Sequence, residues 1–212
     1  GGGVKVSVYA GVDASTDKTA EIAREIAGHM DNLRVREFPA RRGKVAVLKD
    51  LVKEATRSGS VPDILVFTDA NTRFDDHALE RLLTHFNRPD VGGACGRLVF
   101  GTWSAEKSLS TLGHSTGVAV DEAEEGVYWE WETSLKTAES RVDSCLGANG
   151  AIYAIRTNLF PADIPDNTIV DDFVIGMKVR EQGFRMVYEP HAVACEEPAP
   201  GMSGEWTRRI RI

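Results

Sequence analysis

The chain has 212 residues, 42% hydrophobic and 27% charged, ordinary globular values that exclude disorder, collagen and coiled coil. Its 25 Lys and Arg stand against 32 Asp and Glu, a net charge of -7. That balance argues against sequence-independent nucleic-acid binding, which runs on Lys and Arg at phosphates, so any anionic ligand needs a local basic cluster. The three cysteines, Cys95, Cys145 and Cys195, are too few for a disulfide framework and suit a reducing compartment, and none lies in a C-x-x-C or Cys/His spacing that suggests zinc. No apolar run approaches the roughly 18 residues of a membrane span. Gly1-Gly2-Gly3 reads as a linker. The expectation is one soluble domain over residues 1–212.

Strand and helix patterns alternate along the first hundred residues. Val4 to Tyr9 alternates as a strand, and Asp13 to Asp17 is rich in turn and N-cap residues. Ile22, Ala23, Ile26, Ala27 and Met30 recur at helical spacing. A short strand over Arg34 to Phe38 is closed by Pro39, and Val45, Leu48, Leu51, Val52 and Ala55 mark a second helix. Asp63 to Thr68 holds a continuous apolar run suited to a strand buried on both faces. Leu79, Leu82, Leu83 and Phe86 give a third helix, and Val91 to Phe100 a fourth strand. This β-α-β-α-β-α-β order predicts a doubly wound sheet, with ligands at the carboxyl ends of the strands. Two polar clusters, Asp13 to Asp17 and Asp69 to Asn71, sit just past predicted strand ends.

The second half is less regular. Asp121 to Glu125 is a charge run expected in a solvated face or loop. Tyr128, Trp131, Leu135, Ala138 and Val142 fit one helical stripe, with Trp129 and Trp131 on two faces of that helix, one of them packed in the core. Asn149 to Arg156 predicts a strand, and Phe173 to Gln182 a helix stopped by Gly183. Phe184 to Tyr188 and Ala192 to Cys195 read as two short strands.

Four segments, taken in order, carry the chemistry. They are Val12-Asp13-Ala14-Ser15-Thr16-Asp17-Lys18-Thr19, Phe67-Thr68-Asp69-Ala70-Asn71-Thr72, Val170-Asp171-Asp172-Phe173 and Arg208-Arg209-Ile210-Arg211. Together they resemble family 2 of the glycosyltransferases, the group that includes cellulose and hyaluronan synthases. The segments Leu146 to Tyr153 and Gly183 to Pro190 strengthen the resemblance. It implies the nucleotide-sugar-binding GT-A fold, an α/β doubly wound mixed sheet flanked by helices. The family's first strand is expected to be missing, because its D-G-S-T-D turn arrives here at Asp13. The resemblance therefore implies a catalytic domain truncated at the N-terminus and, inside the basic motif, at the C-terminus.

Roles follow from the resemblance, residue by residue. Asp13 matches the carboxylate that hydrogen-bonds the nucleotide base, while Ala14 stands where the family usually has Gly. The bland alternative is a plain turn, with Thr16 or Asp17 capping the next helix. Arg41-Arg42-Gly43-Lys44 lacks the full G-x-x-x-x-G-K-[ST] pattern because Val45 follows, which argues against a P-loop. The family's similar Gly-Lys makes Lys44 a donor contact, or else a solvated helix start. Lys49 replaces an Asn often seen there and receives no role. Asp69-Ala70-Asn71 matches the D-x-D motif, with Asp69 on the donor ribose and Asp69 and Asn71 toward Mg²⁺ or Mn²⁺, which prefer oxygen ligands.

Asp172 matches the catalytic base that takes the proton from the acceptor hydroxyl, with Asp171 beside it on the acceptor. Two adjacent acids can instead be helix N-terminal charges. Trp129, Gly147 and Asn149 are the other acceptor-side candidates. Arg208 and Arg211 match a basic motif on the donor diphosphate, although Arg208 and Ile212 occupy its usual Gln and Trp positions. The histidines, including His191, have no ligand-like spacing.

The function expected is an inverting transfer of a hexosyl unit from a UDP-linked sugar to a glycan or lipid-linked acceptor. Its expected setting is the cytoplasmic face of the plasma membrane, with the parent protein anchored through segments outside this chain. Two alternatives are a non-catalytic nucleotide-sugar-binding module, suggested by Asn71 and the altered basic tail, and a sugar nucleotidyltransferase, which needs a Gly-rich loop near its first strand.

Overall fold

The computed structural model describes residues 4–57, 59–101 and 123–197, with only the backbone over 123–130. They fall into two compact units, residues 1–62 with 162–168 and residues 63–161 with 169–212.

In the first unit, β1 (Val8–Asp13), α1 (Thr19–His29), β2 (Leu33–Phe38) and α2 (Lys44–Arg57) follow in order. β1 and β2 pair in parallel from Val8↔Leu33 to Asp13↔Phe38, which requires a crossover, and α1 supplies it. The strand expected from Val4 begins at Val8, because β2 starts at Leu33 and offers no rung to earlier residues. Val4 is accordingly 72% exposed. α1 forms where its period predicts, but its apolar stripe is not covered: Ile22, Ile26 and Met30 are exposed, and the two-stranded sheet is too narrow to bury them. α2 buries Val45, Ala46, Val47 and Ala55. It approaches β1 at Gly11, where a Cβ would overlap Val47 Cγ1 and come within 3.3 Å of Leu51 Cδ1.

In the second unit, β3 (Ile64–Phe67), β4 (Thr72–Phe74), α3 (Ala78–Thr84), β5 (Val91–Phe100), α4 (Ala123–Val142), β6 (Tyr153–Arg156), α5 (Asp171–Glu181) and β7 (Arg185–Glu196) build a five-stranded sheet of order β3-β6-β5-β7-β4. β5 and β7 are parallel, while β3–β6, β5–β6 and β4–β7 are antiparallel, so the sheet is mixed. Its core joins Ala78 and Leu82 of α3 to Val91, Ala94, Ile152, Val187, Ala192 and Ala194. Truncating a side chain as buried as Leu82 to Ala costs about 2–5 kcal/mol in such a setting.

Several local expectations change. The two short strands at the end are one strand, β7, because a bulge absorbs the interruption at Pro190: Gly96 pairs with Glu189 and the next residue, Arg97, with Val193. The strand expected from Asn149 starts at Tyr153, since a tight turn with Ile152 N–H donating to the Asn149 carbonyl at 3.0 Å occupies the first residues. β4, three residues long, carries too little pattern to be anticipated.

Residues 123–125 of the expected charged loop open α4. Its stripe of Trp131, Leu135, Ala138 and Val142 points outward, with Trp131 61% and Val142 88% exposed. The inward side is polar instead. Ser140 Oγ accepts the Tyr188 N–H at 3.0 Å, Thr133 Oγ1 meets the Tyr188 hydroxyl at 3.4 Å, and Lys136 pairs with Glu132 at 3.1 Å. Helical period says which residues share a face, but not which face meets the sheet.

The contact at Gly11 yields a prediction. Gly11→Ala is expected to cost about 1–3 kcal/mol by overpacking against α2. Combined with Val47→Ala, the loss should be smaller than the sum of the two single losses. Urea titration of the four chains measures this, and strictly additive values would disprove the close approach.

Candidate active site

The first unit contributes a loop held by one carboxylate. β1 ends at Asp13, and the chain turns at Ala14, whose φ of +52° is left-handed and whose N–H donates to the Phe38 carbonyl at 3.1 Å. An L-residue there costs about 1–2 kcal/mol, the physical reason a Gly suits this position. Asp13 Oδ1 accepts the Arg42 N–H at 2.7 Å, and Oδ2 accepts the Gly43 N–H at 2.9 Å. Gly43, at φ +87°, turns the chain into α2, so Asp13 fixes the approach to Lys44, the first residue of that helix. Each carboxylate oxygen keeps lone-pair capacity for a further donor.

The turn and the Arg-Arg-Gly-Lys segment are therefore one hydrogen-bonded structure, and Arg42, which sequence reasoning left without a role, is part of it. Arg42 also pairs with Asp50, with its guanidinium 5.4 Å from the Phe38 ring centroid. Lys49 is structural. Its ammonium donates to the Ile164 carbonyl and, at 2.8 Å, to Asp166, tying the 162–168 segment to α2. Asp17 accepts hydrogen bonds from the Ser15 hydroxyl and from Thr19, including its N–H at 2.9 Å, which opens α1. These bonds, Ser15 first, hold its carboxyl down at about 2. Asp17 thus closes the turn that leads into α1, whose N-cap is Lys18.

The second unit places the remaining acids. Asp69 follows β3 by two residues, is half-buried, and its carbonyl accepts the Thr72 N–H at 3.2 Å, closing a turn that leaves Asn71 exposed at the start of β4. Asn71 lines a cleft of about 250 Å³ with Arg73, Gly101 and Glu197 among its walls. Among the described residues no three His, Cys, Asp or Glu side chains converge as a metal cage. A Mg²⁺ or Mn²⁺ ion shared with substrate phosphates needs only one or two protein oxygens, and the carboxylate of Asp69 with the amide oxygen of Asn71 fits that donor chemistry.

Asp171 and Asp172 occupy the first turn of α5. Asp171 is buried, at 4% exposure. Asp172 Oδ1 accepts the Phe173 N–H at 2.9 Å, while Oδ2 lies 3.0 Å from the point where a Cβ on Gly150 would sit. Gly147, at φ +83°, meets the Phe173 ring, and a Cβ on Gly176 would lie 3.2 Å from the Ala148 N and the Gly147 Cα. Asn149 Oδ1 accepts the Ala151 N–H at 3.2 Å, which stiffens the loop. The structure thus brings Asp171, Asp172, Gly147 and Asn149 together at one helix start. The side chain of Trp129, and all of Arg208 and Arg211, lie outside the described residues.

Sequence reasoning gave Tyr153 no role. Its side chain is 1% exposed and stacked on Phe67, with ring centroids 4.7 Å apart at 14°. Burial, and then the charges of Asp171, Asp172 and Asp69, push its hydroxyl well above the usual tyrosine range. Only the β3–β6 pairing, with Phe67 opposite Tyr153, brings it here, and no local signal announces that pairing.

This α/β architecture is that of the GT-A glycosyltransferases. Solved structures that share the fold include the following two. The mannosyltransferase PcManGT from Pyrobaculum calidifontis, in complex with GDP-Man and Mn²⁺, matches with a TM-score of 0.68 and 22% identity, covering 97% of this chain and 51% of that one. GalNAc-T7 with UDP, GalNAc and Mn²⁺ matches with a TM-score of 0.61 and 12% identity, covering 91% and 37%. The family described as "Glycosyltransferase like family 2" matches residues 3–211, and the chain belongs to it. A curated relative, the poly-beta-1,6-N-acetyl-D-glucosamine synthase of Staphylococcus aureus (strain COL), is 24% identical over 205 residues, 94% of this chain and 44% of the relative. The chain therefore spans less than half the length of the curated relatives it matches. Among the described residues no helix is long and apolar enough to cross a membrane.

The capped turn has a pH signature. A carboxylate with a depressed folded-state value stabilises the fold above its unfolded value, and that share is lost as pH falls through the folded value. A carbon-detected NMR titration of Asp17 should show its midpoint at about 2. A midpoint near the ordinary value of about 3.9 would mean that the turn is not formed.

Proposed function

We propose that the chain is the catalytic domain of an inverting glycosyltransferase that moves a hexosyl unit from a UDP-sugar to a glycan or lipid-linked acceptor. The observation that carries this is Asp172, whose carboxylate is held by a backbone N–H at the start of α5 and laid over the bare backbone of Gly150. In the proposed reaction, the acceptor hydroxyl oxygen attacks the anomeric carbon while its proton passes to Asp172. The bond from that carbon to the diphosphate oxygen breaks, and its electron pair leaves with UDP, inverting the anomeric centre.

Asp13 accepts from the base, Asp69 holds the ribose, and Lys44, Arg208 and Arg211 face the diphosphate. Asp69 and Asn71 would hold a divalent cation, which would supply countercharge for the leaving group. Asp171, Trp129, Gly147 and Asn149 border the acceptor. Membership of the family and the N-acetylglucosamine polymer made by the curated relative support a polysaccharide or glycolipid product. Such a product fits work at the cytoplasmic face of the plasma membrane by a membrane-anchored parent protein.

Asp172→Asn is expected to abolish transfer while calorimetry still detects UDP binding in the presence of Mn²⁺. Near-normal transfer by this variant would overturn the assignment of the base, and binding of GDP in preference to UDP would overturn the assignment of the donor. Gly150→Ala should displace the Asp172 carboxylate by a few tenths of an ångström and lower kcat about tenfold with UDP binding unchanged. A wild-type kcat in Gly150→Ala would show that the close approach does not matter to the chemistry.

A further inference from the structure

Cys95 and Cys145 are both fully buried free thiols, and their sulfurs lie 3.7 Å apart. A buried free cysteine usually serves as a small hydrophobe, and that role needs no second sulfur against it. The third cysteine shows the difference: Cys195 Sγ meets the Gly101 carbonyl, at 3.5 Å. A disulfide closes at about 2.05 Å between sulfurs, so modest movement separates this pair from a bond.

The two partners differ in how far they can move. Cys95 sits in mid-sheet, opposite Tyr153 of β6 on one side and Tyr188 of β7 on the other. Cys145 lies in no helix or strand, between α4 and the 146–150 loop. It is tied to that loop, its Sγ donating to the Gly147 carbonyl at 3.5 Å. Closing a disulfide therefore draws Cys145 toward β5 and removes the proton from that contact. Gly147 in turn packs on α5: a Cβ on it would lie 2.6 Å from the ring of Phe173, the residue after Asp172. The pair also lies close beneath the surface, since Leu146, next in the chain, is 55% exposed. The Cys145 contact first, and the charge of Lys136 after it, hold the Cys95 thiol below the usual cysteine range despite its burial. Cys95 is thus the sulfur that ionises and reacts first.

We propose that Cys95 and Cys145 form an oxidation site, at which a peroxide closes a disulfide that slows the transfer by shifting the 146–150 loop against the first turn of α5. The Cys95 thiolate attacks one peroxide oxygen, the O–O bond breaks, and Cys95 becomes a sulfenic acid with release of water. The Cys145 sulfur then attacks Cys95, the S–O bond breaks, and a second water leaves with the Cys145 proton. Two thiols are oxidised by two electrons and one hydrogen peroxide is reduced to two waters, and a thiol reductant reverses the step. The site stands on its own geometry, while its effect on the rate rests on the reading of Asp172 as the base.

The test treats the full chain with hydrogen peroxide and follows peptide mass, rate and amide exchange. A Cys95–Cys145 link is expected, with the chain lighter by two hydrogens. kcat should fall about tenfold and return with dithiothreitol, unlike damage from methionine sulfoxide, which needs its own reductases. Hydrogen exchange of the amides of residues 146–150 should quicken on oxidation. Cys145→Ala should keep the transfer and lose the peroxide response, while Cys195→Ala should remain as sensitive as wild type. Absence of the link in wild type, a link that leaves kcat and exchange unchanged, or full inhibition of Cys145→Ala by peroxide would each overturn the proposal. The first two outcomes are measured on wild-type protein, so they decide the matter even where a variant fails to fold. Near-normal transfer by Asp172→Asn would instead remove the reading of the base, and a mapped link would keep the oxidation site.

Discussion

Helix α5 can bring its first turn onto the 146–150 loop because the contact points carry no side chains. A Cβ on Gly150 would press on the Asp172 carboxylate, one on Gly147 on the Phe173 ring, and one on Gly176 on the backbone of the loop itself. Everything proposed for the acceptor side depends on this close approach. It brings the Asp172 carboxylate against bare backbone and buries Asp171 beside it. The first turn of a helix also favours negative charge, so the same two acids stabilise the helix start. The modest role and the catalytic one are compatible, since a carboxylate anchored by the Phe173 N–H is better fixed for proton transfer than a mobile one.

The first unit solves a similar problem with one carboxylate and two amides. Asp13 binds the N–H groups of Arg42 and Gly43, so the turn after β1 and the entry to α2 form a single hydrogen-bonded piece. The left-handed Ala14 is the local strain this arrangement carries, and the parallel β1–β2 ladder ending at Asp13↔Phe38 holds it in place. Asp17 and Lys49, close in sequence to the proposed donor contacts, are occupied in scaffolding: one closes the turn into α1 and the other fastens residues 162–168.

Much was legible from local pattern. The spans of α2, β2, β3, β5 and α5 follow the apolar period and the flanking Gly, Pro and Asp closely, because those signals act over a few residues. The acids at Asp13, Asp69 and Asp171–Asp172 were legible for the same reason, as short motifs at element ends. The misses share another cause. The outward stripe of α4, the single long β7 and the three-residue β4 are all decided by which strand or face is available as a partner.

The sequence by itself determined the alternating α/β class, the family and the residues that bear charge near element ends, because propensity, period and motif spacing are properties of short stretches of chain. Tertiary structure alone decided that Asp13 ties two motifs together, that α4 turns its hydroxyls rather than its Trp131 inward, and that Tyr153 lies buried against Phe67. Those outcomes depend on pairings between residues 29 to 86 positions apart (Asp13 with Arg42, Phe67 with Tyr153), and no local preference encodes a partner at that separation.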